Sequence, residues 1–293
     1  MANLKDIRSR ISSVQNTQQI TSAMKMVAAA KLRKAQQRME NTRPYAKKLS
    51  GTVSNLAQSN DHGNVFMTQK ESIESVLLIV VGSDRGLCGG FNNNLFKEID
   101  QHISSELSDI KSAGNLTLVC VGRKAHEYYK KRGYNLVGNY SGFFDDLKYE
   151  RISSLMKEVR HDFSHGLFDR VEVAFNEFKS IIAQNRVIKT VLPVQTSEVS
   201  EEDVPNVDYI FEPDVASILD AIIPQFIDLI VWQAILESNA SEQGARMAAM
   251  DNATENAKEI VKDLKLDYNK ARQAAITTEI SEIVSGAEAL KEK

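Results

Sequence analysis

Leu4, Ile7, Ile11 and Val14 recur at intervals of three and four, the spacing of one helical face, and Ile20, Met24 and Val27 continue an apolar stripe. No glycine or proline interrupts the chain from Leu4 to Pro44. The pattern predicts one helix to about Leu56, kinked at Pro44 and roughly 80 Å long at ~1.5 Å per residue. A rod of that length needs a partner against which to bury its stripe.

The other end of the chain supplies one. Ala257, Val261, Leu264, Tyr268, Ala271 and Ala275 step by four and three, and Ile276, Ile280, Ile283, Ala287 and Leu290 do the same one position over. This is a coiled-coil seam, and its one-residue drift is that of a nearly straight helix set against a 3.5-residue repeat. The helix is predicted from about Asp214 to Leu290, on the order of 110 Å, with a kink at Pro224 near its start.

Between the rods the period changes. Val76 to Val81 and Leu116 to Val121 are short apolar runs, each followed by a glycine turn and a helical segment, which predicts buried parallel strands of an α/β sheet. Val171 to Phe178 and Val187 to Val194 flank a turn at Gln184 to Arg186 and read as an antiparallel hairpin at a sheet edge. The expected fold class is therefore mixed: a long antiparallel coiled coil of the N- and C-terminal helices with an inserted α/β, Rossmann-like domain, a stalk with a foot. The expected divisions are 1–58 for the first coiled-coil helix, 70–200 for the α/β domain and 208–293 for the second coiled-coil helix. The longest apolar run, Ser75 to Val81, is too short to span a bilayer.

Composition sharpens this picture. With 293 residues, 14 glycines and 5 prolines, the chain favours long helices with few turns. Its net charge of -3 conceals an asymmetry: residues 1–48 hold eleven Lys or Arg against Asp6 and Glu40. Glu198 to Asp220 holds eight acidic residues and no basic one, the mark of a solvated connector. Two cysteines, Cys88 and Cys120, are too few for a disulfide framework and fit a reducing compartment. Met1 to Ile11 already has helical spacing, so neither a signal core nor a transit peptide is expected.

Candidate chemistry is sparse. The turn Gly82-Ser83-Asp84-Arg85-Gly86-Leu87-Cys88-Gly89-Gly90 follows the first strand, where an α/β protein cradles phosphate. It lacks the lysine and hydroxyl of a P-loop and the dinucleotide glycine spacing, so it reads as either a structural or partner-contacting turn or a nucleotide site. Lys5, Arg8, Arg10, Lys25, Lys31, Arg33, Lys34 and Arg38 suit a solvated helix face, an acidic protein partner or a nucleic acid. No aromatic side chain for base stacking precedes Tyr45, which disfavours nucleic acid. His161 and His165 lie one turn apart without the H-E-x-x-H arrangement of a zinc site, and nothing nearby activates Cys88 as a nucleophile. No catalytic set, metal or cofactor is expected. Polar residues at supposed seam positions, Gln15, Asn16, Thr17, Gln18 and Thr21 on one rod and Asn239, Ser241, Glu242, Gln243, Asp251, Asn252 and Thr254 on the other, either fix register or face solvent.

The sequence Ile276-Thr277-Thr278-Glu279-Ile280-Ser281-Glu282, followed after three residues by Gly286-Ala287, resembles the C-terminal signature of the gamma subunit of F-type ATP synthase. The segment from Asp6 through Arg43, Pro44 and Tyr45 and the Asp84 to Asn92 turn are similar to the same family, over essentially the whole chain. The resemblance implies a non-catalytic rotor: a coiled coil lodged among three alternating alpha and beta subunits, with the α/β domain outside on epsilon and the membrane c-ring. It places Met24, Lys25, Arg8 and Arg33, with Arg272 and Gln273 opposite Met24, on the axle that meets the beta subunits, and extends that surface to Thr277 and Glu279. It puts Tyr45, Tyr209 and Glu212 near the foot, and Asp84, Arg85 and Gly86 toward the ring or epsilon. The chain carries neither the cysteine pair of the plastid type nor a mitochondrial transit peptide. A bacterial enzyme follows, at the cytoplasmic face of the plasma membrane and peripheral through its partners. The readings that remain beside it are a nucleotide-binding α/β protein with helical arms and a nucleic-acid-binding coiled coil.

Overall fold

The computed structural model describes residues 4–58, 64–181, 183–195, 212 and 214–291. Two compact units emerge, residues 1–28 with 247–293 and residues 29–246.

In the first unit, helix α1 (Leu4–Gln58) contributes its start and helix α6 (Val215–Lys291) its end. Thr21 Oγ1 lies 2.8 Å from Thr254 Oγ1, and Lys25 Nζ donates to Asp251 Oδ1 at 2.5 Å. As the number rises on one helix it falls on the other, so the pair is antiparallel. The less exposed face of α1 runs through Leu4, Ile7, Ile11, Val14, Gln18, Thr21, Lys25 and Ala28, a 3-4 alternation that never leaves the seam. Ile20 and Val27, expected on that stripe, are 60% and 56% exposed. They are apolar, but their spacing puts them on another face; the seam passes instead through the polar Gln18, Thr21 and Lys25. On α6 the expected set from Ala257 to Ala275 is the less exposed face. Ile276, Ile280 and Ile283 are 47%, 56% and 71% exposed. They do not extend the seam, because the register that sets Lys25 against Asp251 leaves α1 exhausted near Ala275.

In the second unit the strands are β1 (Val76–Val81), β2 (Leu116–Val121), β3 (Asn135–Leu136), β4 (Arg170–Phe178) and β5 (Gln184–Leu192). Their order is β3-β2-β1-β4-β5, with β5 antiparallel to β4 and every other pairing parallel. The buried runs VLLIVV and LTLVCV serve two apolar layers, because alternate side chains point to opposite faces. One face carries Leu77, Ile79 and Val81 against Ile152, Met156 and Val159 of α5 (Tyr149–Ser164) and Leu219, Ile223 and Ile227 of α6. The other carries Val76, Leu78 and Val80 against Leu95 and Ile99 of α2 (Phe91–Ser105) and Tyr129 of α4 (Arg123–Lys130). A short α3 (Ser108–Ser112) leads into β2.

Two expectations shift. The hairpin turn lies between Phe178 and Gln184, closed by Ser180 N donating to Ala183 O at 3.0 Å, and Gln184 to Arg186 belong to β5. As the edge strand, β5 carries exposed polar residues at its start that mimic a turn. As expected, α1 continues through Pro44 and α6 through Pro224. α6 also contains a stretch long and apolar enough to cross a membrane by length and composition, longer than Ser75 to Val81. Its Leu219, Ile223, Ile227, Val231 and Ile235 are core residues of the second unit. Asp214 caps the start of α6, its Oδ1 accepting from Ser217 N at 2.8 Å.

Candidate functional site

In an open α/β sheet the ligand crevice lies beyond the carboxyl ends of the strands where the order reverses, here β1 and β4. The loop after β1 is fixed from both sides. Asp84 is buried, and its carboxylate accepts three backbone N–H groups: Arg123 at 3.0 Å, Gly142 at 2.7 Å and Phe144 at 2.9 Å. Gly82 and Gly122 permit the close approach this needs. A Cβ on Gly122, at φ +98°, would come within 3.0 Å of the Gly82 carbonyl. Asn92 closes the loop by accepting from Ser83 N at 3.0 Å and donating to Ser83 Oγ at 2.8 Å.

The other side of the loop meets α6. Ser238 Oγ donates to Val81 O at 3.3 Å, and Gln184 Nε2 donates to Ser241 O at 3.3 Å. Gly244 faces Ile181 and Phe178 at the end of β4. Arg246 Nη2 donates to Arg85 O at 3.2 Å, Gly86 O at 3.3 Å and Glu242 Oε1 at 2.6 Å. Residues 238–246 of the same chain thus line one side of this crevice, while its other side is an open cavity of about 470 Å³ lined by Gly86, Cys88, Asn92, Lys124 and Arg132. Burial pushes the Glu242 carboxyl up, against the pull of the Arg246 guanidinium. Burial and then the Glu242 charge push the Cys88 thiol up, the opposite of what a nucleophile needs.

The residues singled out in the sequence separate into groups. Arg85 and Gly86 meet Arg246, whereas Asp84 bonds to Arg123, Gly142 and Phe144; Arg85 also pairs with Asp145 at 3.0 Å, while Gly86 faces open space. Met24 is half-buried beside Lys25. Arg272 and Gln273 are exposed but do not lie opposite Met24: they fall roughly 30 Å along α6 from Asp251, at ~1.5 Å per residue, level with the start of α1. Arg8, Arg33, Tyr45, Glu212, Thr277 and Glu279 are exposed, and Tyr209 lies outside the described residues. Of the polar seam set, Thr21 and Thr254 are buried against each other, whereas Gln15, Asn16, Thr17 and Asn252 face solvent. Ser241, Glu242 and Gln243 belong to the sheet crevice rather than to a seam. Sequence reasoning missed Arg246; the only local signal was its i,i+4 spacing from Glu242. His161 and His165 stack with ring centroids 4.2 Å apart, and no cluster of three metal-binding side chains occurs among the described residues.

An α/β sheet packed on one stretch of the C-terminal helix, with the ends of the two terminal helices paired antiparallel in a unit of their own, defines the class: an α/β domain inserted between long terminal helices. A family model described as ATP synthase matches residues 3–290. The chain is 44% identical to an ATP synthase gamma chain of Salinibacter ruber, over 100% of this chain and 99% of that one. It is 45% identical to that of Chlorobaculum tepidum, over 100% of both. The central-stalk and c-ring structure of Tetrahymena thermophila mitochondrial ATP synthase contains a chain 26% identical, with a TM-score of 0.59, covering 80% of this chain and 99% of that one. A chain in the Euglena gracilis mitochondrial ATP synthase, 18% identical with a TM-score of 0.67 over 98% of this chain and 94% of that one, shares the fold. The chain belongs to the ATP synthase gamma-chain family, the central-stalk rotor subunits of the F-type complex.

Proposed function

We propose that the paired ends of α1 and α6 turn inside a ring of alternating alpha and beta subunits while residues 70–200 bear on epsilon and the c-ring. Residues 1–58 and 208–293 then supply the axle, at the cytoplasmic face of a bacterial plasma membrane. The observation that supports this best is the lopsided helix pair. α6 runs on past the start of α1 and carries exposed Ile276, Ile280, Ile283 and Val284, whereas α1 exposes Ile20, Met26 and Val27 at another level. A rod with such unlike sides touches each subunit of a nearly threefold ring differently, so the catalytic sites hold different nucleotide affinities and rotation permutes them. Met24, Lys25, Arg8, Arg33, Arg272, Gln273, Thr277 and Glu279 are the proposed axle contacts. Tyr45, Tyr209, Glu212, Arg85 and Gly86 are proposed near the foot, with Asp84 acting by shaping the loop that carries the last two.

Co-purification tests the reading: tagged chain expressed in its native cell should bring down alpha and beta subunits in stoichiometric amounts. Tight one-to-one ATP binding by the isolated chain without those subunits would favour a nucleotide-binding protein instead. Salt-dependent DNA binding would favour a nucleic-acid protein.

A further inference from the structure

The loop after β1 and helix α6 are 160 residues apart in sequence, yet one side chain joins them. Arg246 reaches the carbonyls of Arg85 and Gly86 with the same nitrogen that meets the Glu242 carboxylate. Its side chain is 12% exposed and that of Glu242 5%, so the ion pair is desolvated and charge-assisted, while the bonds from Arg246 to the two loop carbonyls lie at the exposed edge of the loop. On its far side the loop is already immobilised by the three backbone bonds of Asp84. Arg246 stands on the helix that runs without interruption to Lys291.

We propose that Arg246, oriented by Glu242, is the positioning residue that keys α6 to the loop at Gly82 to Gly90, so that force applied to the loop reaches α6 as a turning force. This rests on the rotor reading above. Two carbonyls in adjacent peptide units resist displacement of the guanidinium along the helix axis and around it. An apolar contact of equal area has no such directionality and lets the helix slide. Glu242 balances the buried positive charge and restricts the arginine to the rotamer that meets the carbonyls.

The test uses the assembled synthase in membrane vesicles, with two readings: ATP-driven ion pumping divided by ATP hydrolysis, and hydrogen exchange of the amides of residues 85–90. Arg246→Met should lower the pumping ratio severalfold and speed exchange in the loop, leaving exchange in β1 and β2 unchanged. Arg246→Lys should recover part of both, since it keeps the positive charge beside Glu242 on a shorter and unforked side chain. Should Arg246→Met fail to assemble, Glu242→Gln decides by the same readings. Faster loop exchange with an unchanged ratio would overturn the proposal while leaving the rotor reading intact. Unchanged exchange would overturn it whatever the ratio. A wild-type complex whose pumping survives crosslinking of this chain to a beta subunit would sink the rotor reading, and the exchange result would still judge the contact.

Discussion

Asp84→Ala isolates what the loop after β1 depends on. The carboxylate is buried and accepts from the amides of Arg123, Gly142 and Phe144, so removing it strands three donors with no alternative acceptor on the same side chain. Hydrogen bonds to a charged acceptor contribute about 1.5–3 kcal/mol each, and partial entry of water softens the loss, so the variant should be destabilised by about 3–5 kcal/mol. Asp84→Asn is the graded control. Its Oδ1 can serve Arg123 and Gly142, but its amide group then points a donor at the Phe144 N–H, for a cost of about 1–3 kcal/mol. Urea denaturation of the full chain, followed by circular dichroism, measures both differences. Exchange at the Gly142 and Phe144 amides localises them: in Asp84→Ala these should speed by about a hundredfold if roughly 3 kcal/mol of local stability is lost. An alanine variant within ~0.5 kcal/mol of wild type, a size typical of unremarkable surface substitutions, would refute the structural role and leave only contact with a partner.

Other consequences are as direct. Glu172 hydrogen-bonds His102 at 2.8 Å and raises its pKa above the ordinary value, against the effect of burial, with Glu106 on the other ring nitrogen and Arg170 beside Glu172. A raised folded pKa means the contribution is complete below the unfolded value and vanishes as pH rises through the folded one; a stability-versus-pH curve should show that fall, and His102→Gln should flatten it. Burial works to raise the Asp169 pKa, but Lys70, the Glu74 and Ser75 amides and the Ser75 hydroxyl more than reverse this, to about 2. The resulting stabilisation is present above the unfolded value and lost as pH falls toward ~2, and Asp169→Asn should cost about 2 kcal/mol at neutral pH in the same denaturation assay. Gly244→Ala should stabilise by about 0.5–1 kcal/mol in thermal melts, because its Cβ would meet Ile181 at an ordinary 3.5 Å and alanine is the better helix former. Neutralising Arg8, Lys25 and Arg33 together should weaken coupling of ATP hydrolysis to ion pumping; equal coupling in the triple variant would exclude charge attraction as a contributor.

The long helices and the parallel sheet were legible because each carried its own period, three-four in the rods and short unbroken apolar runs in β1 and β2. The seam of α1 was only half legible. At Gln18, Thr21 and Lys25 it is polar, while the nearby apolar Ile20 and Val27 lie off it, so hydrophobicity pointed one way and spacing another. Spacing was the better guide because the partner helix fixes the face. The packing of residues 238–246 along the β1 loop was illegible for a different reason: no local pattern reports a contact between Arg85 and Arg246, which depends on how α6 crosses the sheet. Glu242 and Gln243 therefore looked like coiled-coil polar positions until the sheet was in place. The proposed axle contacts came from resemblance alone, since exposed side chains such as Arg272 and Glu279 have no partner-specific signature.

Rotation itself is the decisive observable. With the alpha and beta subunits fixed to a surface and a bead attached to this chain through a cysteine introduced at exposed Val137, added ATP should drive the bead round continuously in one direction. A bead that stays still, or only jitters about one angle, while the same complexes hydrolyse ATP would contradict the account.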